Sequence, residues 1–136
     1  QAGLDYLKEQ SYVQEDALGV TGFCFGGGFT WELAIRSSDV KAAVPYYGTV
    51  RPESIDDLGD TNAAILAMYG ANDTRVTSQA ADVEQRLSAA EKTHEIRIWP
   101  DANHAFFNDT GQNYNAAVAT EAWTETLAWF RRYLVA

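Results

Sequence analysis

Cys24 is the single cysteine of the chain, and it stands in the run Gly22-Phe23-Cys24-Phe25-Gly26-Gly27. This is the pattern glycine-x-nucleophile-x-glycine, in which a chain turns sharply from a strand into a helix. Small residues are needed on both sides because the backbone is crowded there, and Gly22 and Gly26 meet that need. A sulfur at the start of a helix faces the positive end of the helix dipole, which favours the reactive thiolate. The backbone N–H of the next residue, Phe25, would supply one arm of an oxyanion hole. The plainer alternative is a structural cysteine in a glycine-rich turn. Strand, turn and helix in immediate succession favour the chemical reading.

Two further stretches carry groups that such a sulfur would need. Tyr69-Gly70-Ala71-Asn72-Asp73 places a carboxylate just beyond an apolar run. An acid there can hold a histidine in one tautomer and stabilise its cation; the alternative is a turn residue or a helix N-cap ahead of Ser78. Asp101-Ala102-Asn103-His104-Ala105-Phe106 places a histidine in a loop among small and aromatic residues. His94, beside Lys92 and Glu95, reads as an exposed strand residue. Taken together, Cys24, Asp73 and His104 stand in the chain order nucleophile, acid, histidine, which is the order of α/β hydrolases.

These groups need a scaffold, and the hydrophobic pattern predicts one. Ala2 to Gln10 reads as a helix with Leu4 and Leu7 on one face, and Ala17 to Phe23 as a buried strand. Gly27 to Arg36 reads as a helix. Ala42 to Tyr47 reads as a strand in which Pro45 calls for a bulge or a strand end. Val50 to Asn62 is polar, with room for one short helix; Ala63 to Tyr69 is a third buried strand. Ser78 to Glu91 has helical spacing and Thr77 or Ser78 as its cap. Glu95 to Trp99, ended by Pro100, reads as a strand near the sheet edge. Asn115 to Leu134 reads as an amphipathic helix with a stripe of Trp123, Leu127, Phe130 and Leu134. Strands alternating with helices predict an α/β domain with a mostly parallel sheet of about four strands and flanking helices. In such sheets, functional groups sit in loops beyond the carboxyl ends of strands, where all three candidates fall.

Composition narrows the function classes. The 136 residues suffice for one domain over 1–136, and 46% hydrophobic with 21% charged residues is a globular balance. A net charge of -9 disfavours nucleic acid and anionic membrane surfaces. The longest apolar runs, such as Ala63 to Tyr69, are far below the roughly 18 to 20 residues that span a bilayer. One cysteine makes no internal disulfide, and two histidines without a His-Glu-x-x-His spacing predict no metal site. No cofactor is expected. No signal segment precedes Gln1, so a cytoplasmic location is expected; Gln1 itself, inside a helix-like stretch, reads as a cut N-terminus.

From about Leu4 to Leu134 the chain resembles the carboxyl-terminal part of the dienelactone hydrolase (carboxymethylenebutenolidase) family, a branch of the α/β hydrolases. The residues that carry the likeness are Gly22-Phe23-Cys24-Phe25-Gly26-Gly27, Tyr46-Tyr47-Gly48, Gly70-Ala71-Asn72-Asp73 and His104-Ala105-Phe106. The resemblance implies Cys24 as nucleophile, His104 as base and Asp73 as its orienter. It implies a small-molecule ester or lactone substrate, with Phe106 and Asn108 as candidate binding residues. Members acting on dienelactone carry an arginine four residues after the histidine, where this chain has Asn108. Members are also roughly a hundred residues longer at the N-terminus. That region holds the family's first strands, a second oxyanion N–H, a glutamate that interacts with the cysteine and an arginine for the substrate carboxylate.

Three readings therefore stand side by side. The first is a hydrolase of esters or lactones through covalent catalysis, with Phe25, Tyr46, Tyr47, Trp99, Phe106 and Phe107 as candidate pocket walls. The second is a truncated, inactive α/β module acting as a fragment or interaction partner. The third is a flavodoxin-like regulatory domain, which leaves the ordered cysteine, acid and histidine without a role. If the preceding segment is absent, strand Ala17 to Phe23 presents an uncharged edge, and the chain is expected to pair with a second copy through it, to bind the absent segment there, or to aggregate.

Overall fold

A computed structural model describes residues 1–135. Its elements run α1 (Ala2–Lys8), β1 (Leu18–Phe23), α2 (Phe25–Arg36), β2 (Val40–Tyr46), β3 (Ala64–Gly70), α3 (Thr74–Thr77), α4 (Ala80–Ala89), β4 (His94–Trp99) and α5 (Ala116–Leu134). The four strands pair in parallel in the order β1-β2-β3-β4, so β1 lies at one edge and β4 at the other. Two short 3-10 turns, Pro52–Ser54 and Asp56–Asp60, stand where one short helix was expected.

The central strands are apolar at every position but Lys41, near the start of β2, because helices cover both sheet faces. Successive side chains of a strand point to opposite faces. Ala43, Ile65, Ala67 and Tyr69 therefore join Trp31, Val83 and Leu87 on one side. Ala42, Val44, Tyr46, Leu66 and Met68 join Phe106 and Trp129 on the other. Pro45 causes neither a bulge nor a strand end. The ladder to β1 runs through it, opposite Gly22, and the ladder to β3 lapses between Ala43 and Tyr46 without a change of register. The irregularity in β2 lies instead opposite Leu18 and Gly19, where the register shifts.

Helix faces depart from the predicted stripes. On α5 the buried residues are Ala119, Ala122, Thr126 and Trp129, while Trp123 and Leu127 are 41% and 37% exposed. Small residues allow the helix axis close to the sheet, and the larger apolar side chains flank the contact instead of filling it. Trp129 Nε1 donates to the carbonyl of Ala64 at 3.1 Å, which ties α5 to the start of β3. On α1 Leu4 is buried and Leu7 is not. Helix α4 begins at Ala80 with Gln79 before it and no side-chain cap; Thr77 belongs to α3, its hydroxyl donating to the carbonyl of Asp73. Among the described residues, no helix is long and apolar enough to cross a membrane.

The buried phenols predict an alkaline limit. Tyr46 is fully buried, its hydroxyl 2.7 Å from Thr126 Oγ1, and burial pushes its pKa up to about 12. Its neutral form is favoured by folding, so that stabilisation is complete below the ordinary phenol value of 10.0 and is lost as pH rises towards 12. Urea unfolding is expected to need less denaturant at each step across that window. Tyr46→Phe should flatten the slope in part, because Tyr47 and Tyr69 are raised by burial as well.

Candidate active site

Cys24 sits between β1 and α2 with φ 55° and ψ -115°. That is a left-handed backbone for a side-chain-bearing residue, and such strain costs on the order of 1–3 kcal/mol. Three of the four non-glycine residues with positive φ, Cys24, Tyr47 and Ala105, gather here. Close backbone approach explains the local glycines. A Cβ on Gly22 would stand 2.4 Å from the carbonyl oxygen of Gly26, whereas one on Gly26 would meet nothing within 4 Å. The crowding therefore falls on Gly22, and on Gly48 against α2, and not on Gly26 as the sequence pattern suggested. Phe25 begins α2, where an N–H has no acceptor within the helix.

Asp73 stands three residues beyond β3 and His104 five residues beyond β4. Their loops are stitched together. Ala71 N–H donates to the Trp99 carbonyl at 2.9 Å, and Asn72 N–H to the Ala102 carbonyl at 3.0 Å. The Cys24 turn is tied to β2 by Cys24 N–H donating to the Tyr46 carbonyl at 3.0 Å. Asp73 occupies the N-cap position of α3, yet its side chain makes no capping bond. The buried carboxylate meets His104 Nδ1 through Oδ2 instead. A carboxylate only accepts, so Nδ1 carries the proton. Nε2 then faces Cys24 Sγ at 3.1 Å. Asn113 Nδ2 donates to the His104 carbonyl at 3.0 Å, and the Tyr47 ring packs 5.1 Å from the imidazole. Burial first, then the nearby charge of Cys24, hold the Tyr47 phenol above its ordinary range, so it stays neutral.

Cys24 opens onto two clefts. The larger, about 720 Å³, is walled by Phe23, Tyr47, Phe107, Tyr114 and Trp123, with Asn108 and Asp109 at its polar side. The smaller, about 250 Å³, is lined by His104, Phe25, Phe29, Arg51 and Arg75 among others. Of the residues anticipated as pocket walls, Phe25, Tyr47 and Phe107 take that place, as does the candidate binding residue Asn108, while Trp99 lines neither cleft and packs against the core. Phe106 does not take that place either: it is fully buried among Tyr46, Tyr47 and the sheet, and Tyr46 is likewise core. The two face inward because each lies on the strand or loop position whose side chain points at α5. His94 is partly buried, its Nδ1 2.7 Å from the Lys92 carbonyl. Arg51, Arg75, Tyr114 and the Thr120, Trp123 and Thr124 face of α5 escaped the sequence reading. Only the spacing of the last three is a signal, and the apolar pattern places Trp123 in the stripe of an amphipathic helix.

A parallel sheet with helices on both faces, and a strained strand-to-helix turn at the carboxyl end of a strand, is α/β-hydrolase architecture. Within that class the chain belongs to the dienelactone hydrolase family, whose model matches residues 1–134. It is 38% identical over 123 residues to an Escherichia coli (strain K12) protein named "Putative carboxymethylenebutenolidase", covering 84% of this chain and 45% of that one. A Klebsiella pneumoniae structure titled "Putative Dienelactone Hydrolase" superposes with a TM-score of 0.88 at 35% identity, covering 97% of this chain and 60% of that one. A dienelactone hydrolase-like promiscuous phosphotriesterase from metagenomic libraries follows with a TM-score of 0.86 at 26% identity, covering 97% and 59%. The chain thus spans about half the length of the curated relatives it matches.

Proposed function

We propose that the chain hydrolyses ester or lactone bonds of small molecules through an acyl-enzyme on Cys24, with His104 as acid and base and Asp73 as its orienter. The observation that carries this reading is one imidazole joining both other groups, Nδ1 on Asp73 and Nε2 3.1 Å from Cys24 Sγ. Proton transfer from sulfur to Nε2 leaves a thiolate beside an imidazolium whose other N–H is held by a carboxylate. The thiolate attacks the carbonyl carbon: a C–S bond forms, and the π pair moves to the oxygen, which accepts from the Phe25 N–H. Collapse breaks the C–O bond, and Nε2–H gives its proton to the departing alkoxide. Water then attacks the thioester, Nε2 takes its proton, the C–S bond breaks, and the acid leaves. In a lactone, acid and alcohol are two ends of one product. Asn108 in the larger cleft, in place of an arginine, argues for a substrate other than dienelactone.

The test is turnover of 4-nitrophenyl acetate beside Asp73→Asn. An amide presents a donor or a weaker acceptor to Nδ1 and releases the imidazole from the productive tautomer. A drop of roughly 10⁴-fold in kcat is expected with the fold retained. A loss below about tenfold would remove Asp73 from the mechanism. The chain's span of 45% of its Escherichia coli relative favours a second reading, an inactive α/β module. A folded chain that turns over no activated ester decides for that one.

A further inference from the structure

The two clefts that meet at Cys24 differ in charge and in their relation to the imidazole. His104 lines the smaller cleft and not the larger. The smaller also holds Arg51 and Arg75, and among the described residues neither guanidinium has a carboxylate within ion-pair distance. Arg51 is held in place by Phe29, its Cζ 5.1 Å from the ring centre, and Phe29 in turn packs edge-on against Phe25 at 4.8 Å. In a chain of net charge -9, Arg36, Arg86 and Arg97 pair with acids; among the described residues Arg131 and Arg132, in the last turn of α5, form no ion pair either, but Arg51 and Arg75 are the two that share one cleft. The larger cleft is aromatic, and its one ionisable carboxylate is Asp109.

We infer that the smaller cleft receives the leaving-group half of the substrate and selects an anionic group on it, while the larger receives an apolar acyl half. The inference rests on the covalent reading above. It follows from where the proton must go. The alkoxide expelled from the tetrahedral intermediate is protonated by Nε2, so the alcohol half lies on the imidazole's side of the sulfur, and that side carries Arg51 and Arg75. An anion on the acyl half would instead face Asp109 and a wall of rings. The preferred substrate class is an ester of an uncharged, partly aromatic acid with an alcohol or phenol bearing a carboxylate or a phosphate.

Two measurements on the 136-residue chain test this, and the first needs no turnover. Alkylation of Cys24 by iodoacetate and by iodoacetamide forms the same S–C bond and expels the same iodide, so their rate ratio reads the local field alone. Relative to free cysteine, that ratio should be raised about fivefold to tenfold at low salt and fall back at 0.5 M salt. In Arg51→Ala/Arg75→Ala the ratio should drop to the free-cysteine value or below, because only the acidic background remains. A ratio already at or below that of free cysteine, or no labelling by either reagent, overturns the inference. The second measurement compares phenyl acetate, 4-acetoxybenzoate, 4-acetoxyphenyl phosphate and phenyl hydrogen succinate, each normalised to its hydroxide-catalysed rate. Carboxylate or phosphate on the phenol should raise kcat/KM several-fold, with the two distinguishing which anion fits, and carboxylate on the acyl half should lower it. Equal rates for all four overturn the inference and leave covalent catalysis standing. The expected labelling ratio without any ester turnover overturns covalent catalysis and leaves the cationic cleft standing.

Discussion

If the proposed covalent route holds, Cys24→Ala is expected to lower ester turnover by at least about 10⁴-fold, since it removes the sulfur that His104 Nε2 faces at 3.1 Å. Alanine keeps the backbone problem: at φ 55° and ψ -115° its Cβ is as strained as that of cysteine. Cys24→Gly should abolish turnover equally and also stabilise the fold. Relief of a left-handed residue is worth on the order of 1–3 kcal/mol, against roughly 0.5–1 kcal/mol of added chain entropy in the unfolded state, for a net gain of about 1 kcal/mol. Urea denaturation of the three proteins separates the two effects. A glycine variant no more stable than the alanine variant would mean that the turn holds no strain. An alanine variant that still turns over esters would remove the sulfur from the chemistry.

Gly48→Ala is expected to be the most damaging single methyl group in the chain. Its Cβ would lie 2.3 Å from the carbonyl carbon of Gly27 and 2.4 Å from the nitrogen of Gly28. Both are backbone atoms of the first turn of α2, so no side chain can swing away, and the helix that carries Cys24 must move. Overpacking of this kind costs about 3 kcal/mol or more. The displaced sulfur should also lose its 3.1 Å contact with His104 and alkylate more slowly. Gly26→Ala is the matched control: nothing lies within 4 Å of its Cβ, and alanine in a helix gains up to about 1 kcal/mol over glycine. Denaturation midpoints that fall in Gly48→Ala and rise or hold in Gly26→Ala agree with this account; a similar fall in both would refute it.

Much of the fold was legible because its signals are local. A strand buried on both faces needs apolar residues at every position, and Ala64 to Tyr69 has them. The run of glycines after β1 marked the turn, and the order of Cys24, Asp73 and His104 assigned each to a loop beyond a strand's carboxyl end. The charged pattern of Glu95 and Arg97 marked β4 as an edge, where Arg97 reaches Glu125 on α5 at 2.8 Å. Local patterns also misled where two solutions share one periodicity. Trp123 and Leu127 have helical spacing, but α5 turns its small residues to the sheet, because Ala119 and Ala122 let Trp129 reach the carbonyl of Ala64.

What the sequence by itself determined is the set of elements and the loops in which the reactive groups stand, because apolar periodicity and turn chemistry act between near neighbours. Only the tertiary structure decided what those groups touch. Asp73 sits at a helix N-cap position and could have capped α3; it serves His104 because the Ala71 and Asn72 N–H groups bind the Trp99 and Ala102 carbonyls and bring the two loops together. Phe106 and Phe107 are adjacent and chemically alike, yet one is core and the other a cleft wall, since consecutive side chains leave the backbone in different directions. Arg51 and Arg75, 24 positions apart, share a cleft with Cys24 only because the parallel order β1-β2-β3 sets the loops after β2 and β3 beside the turn after β1. Contacts between distant segments depend on strand order and register, and no short-range pattern encodes them.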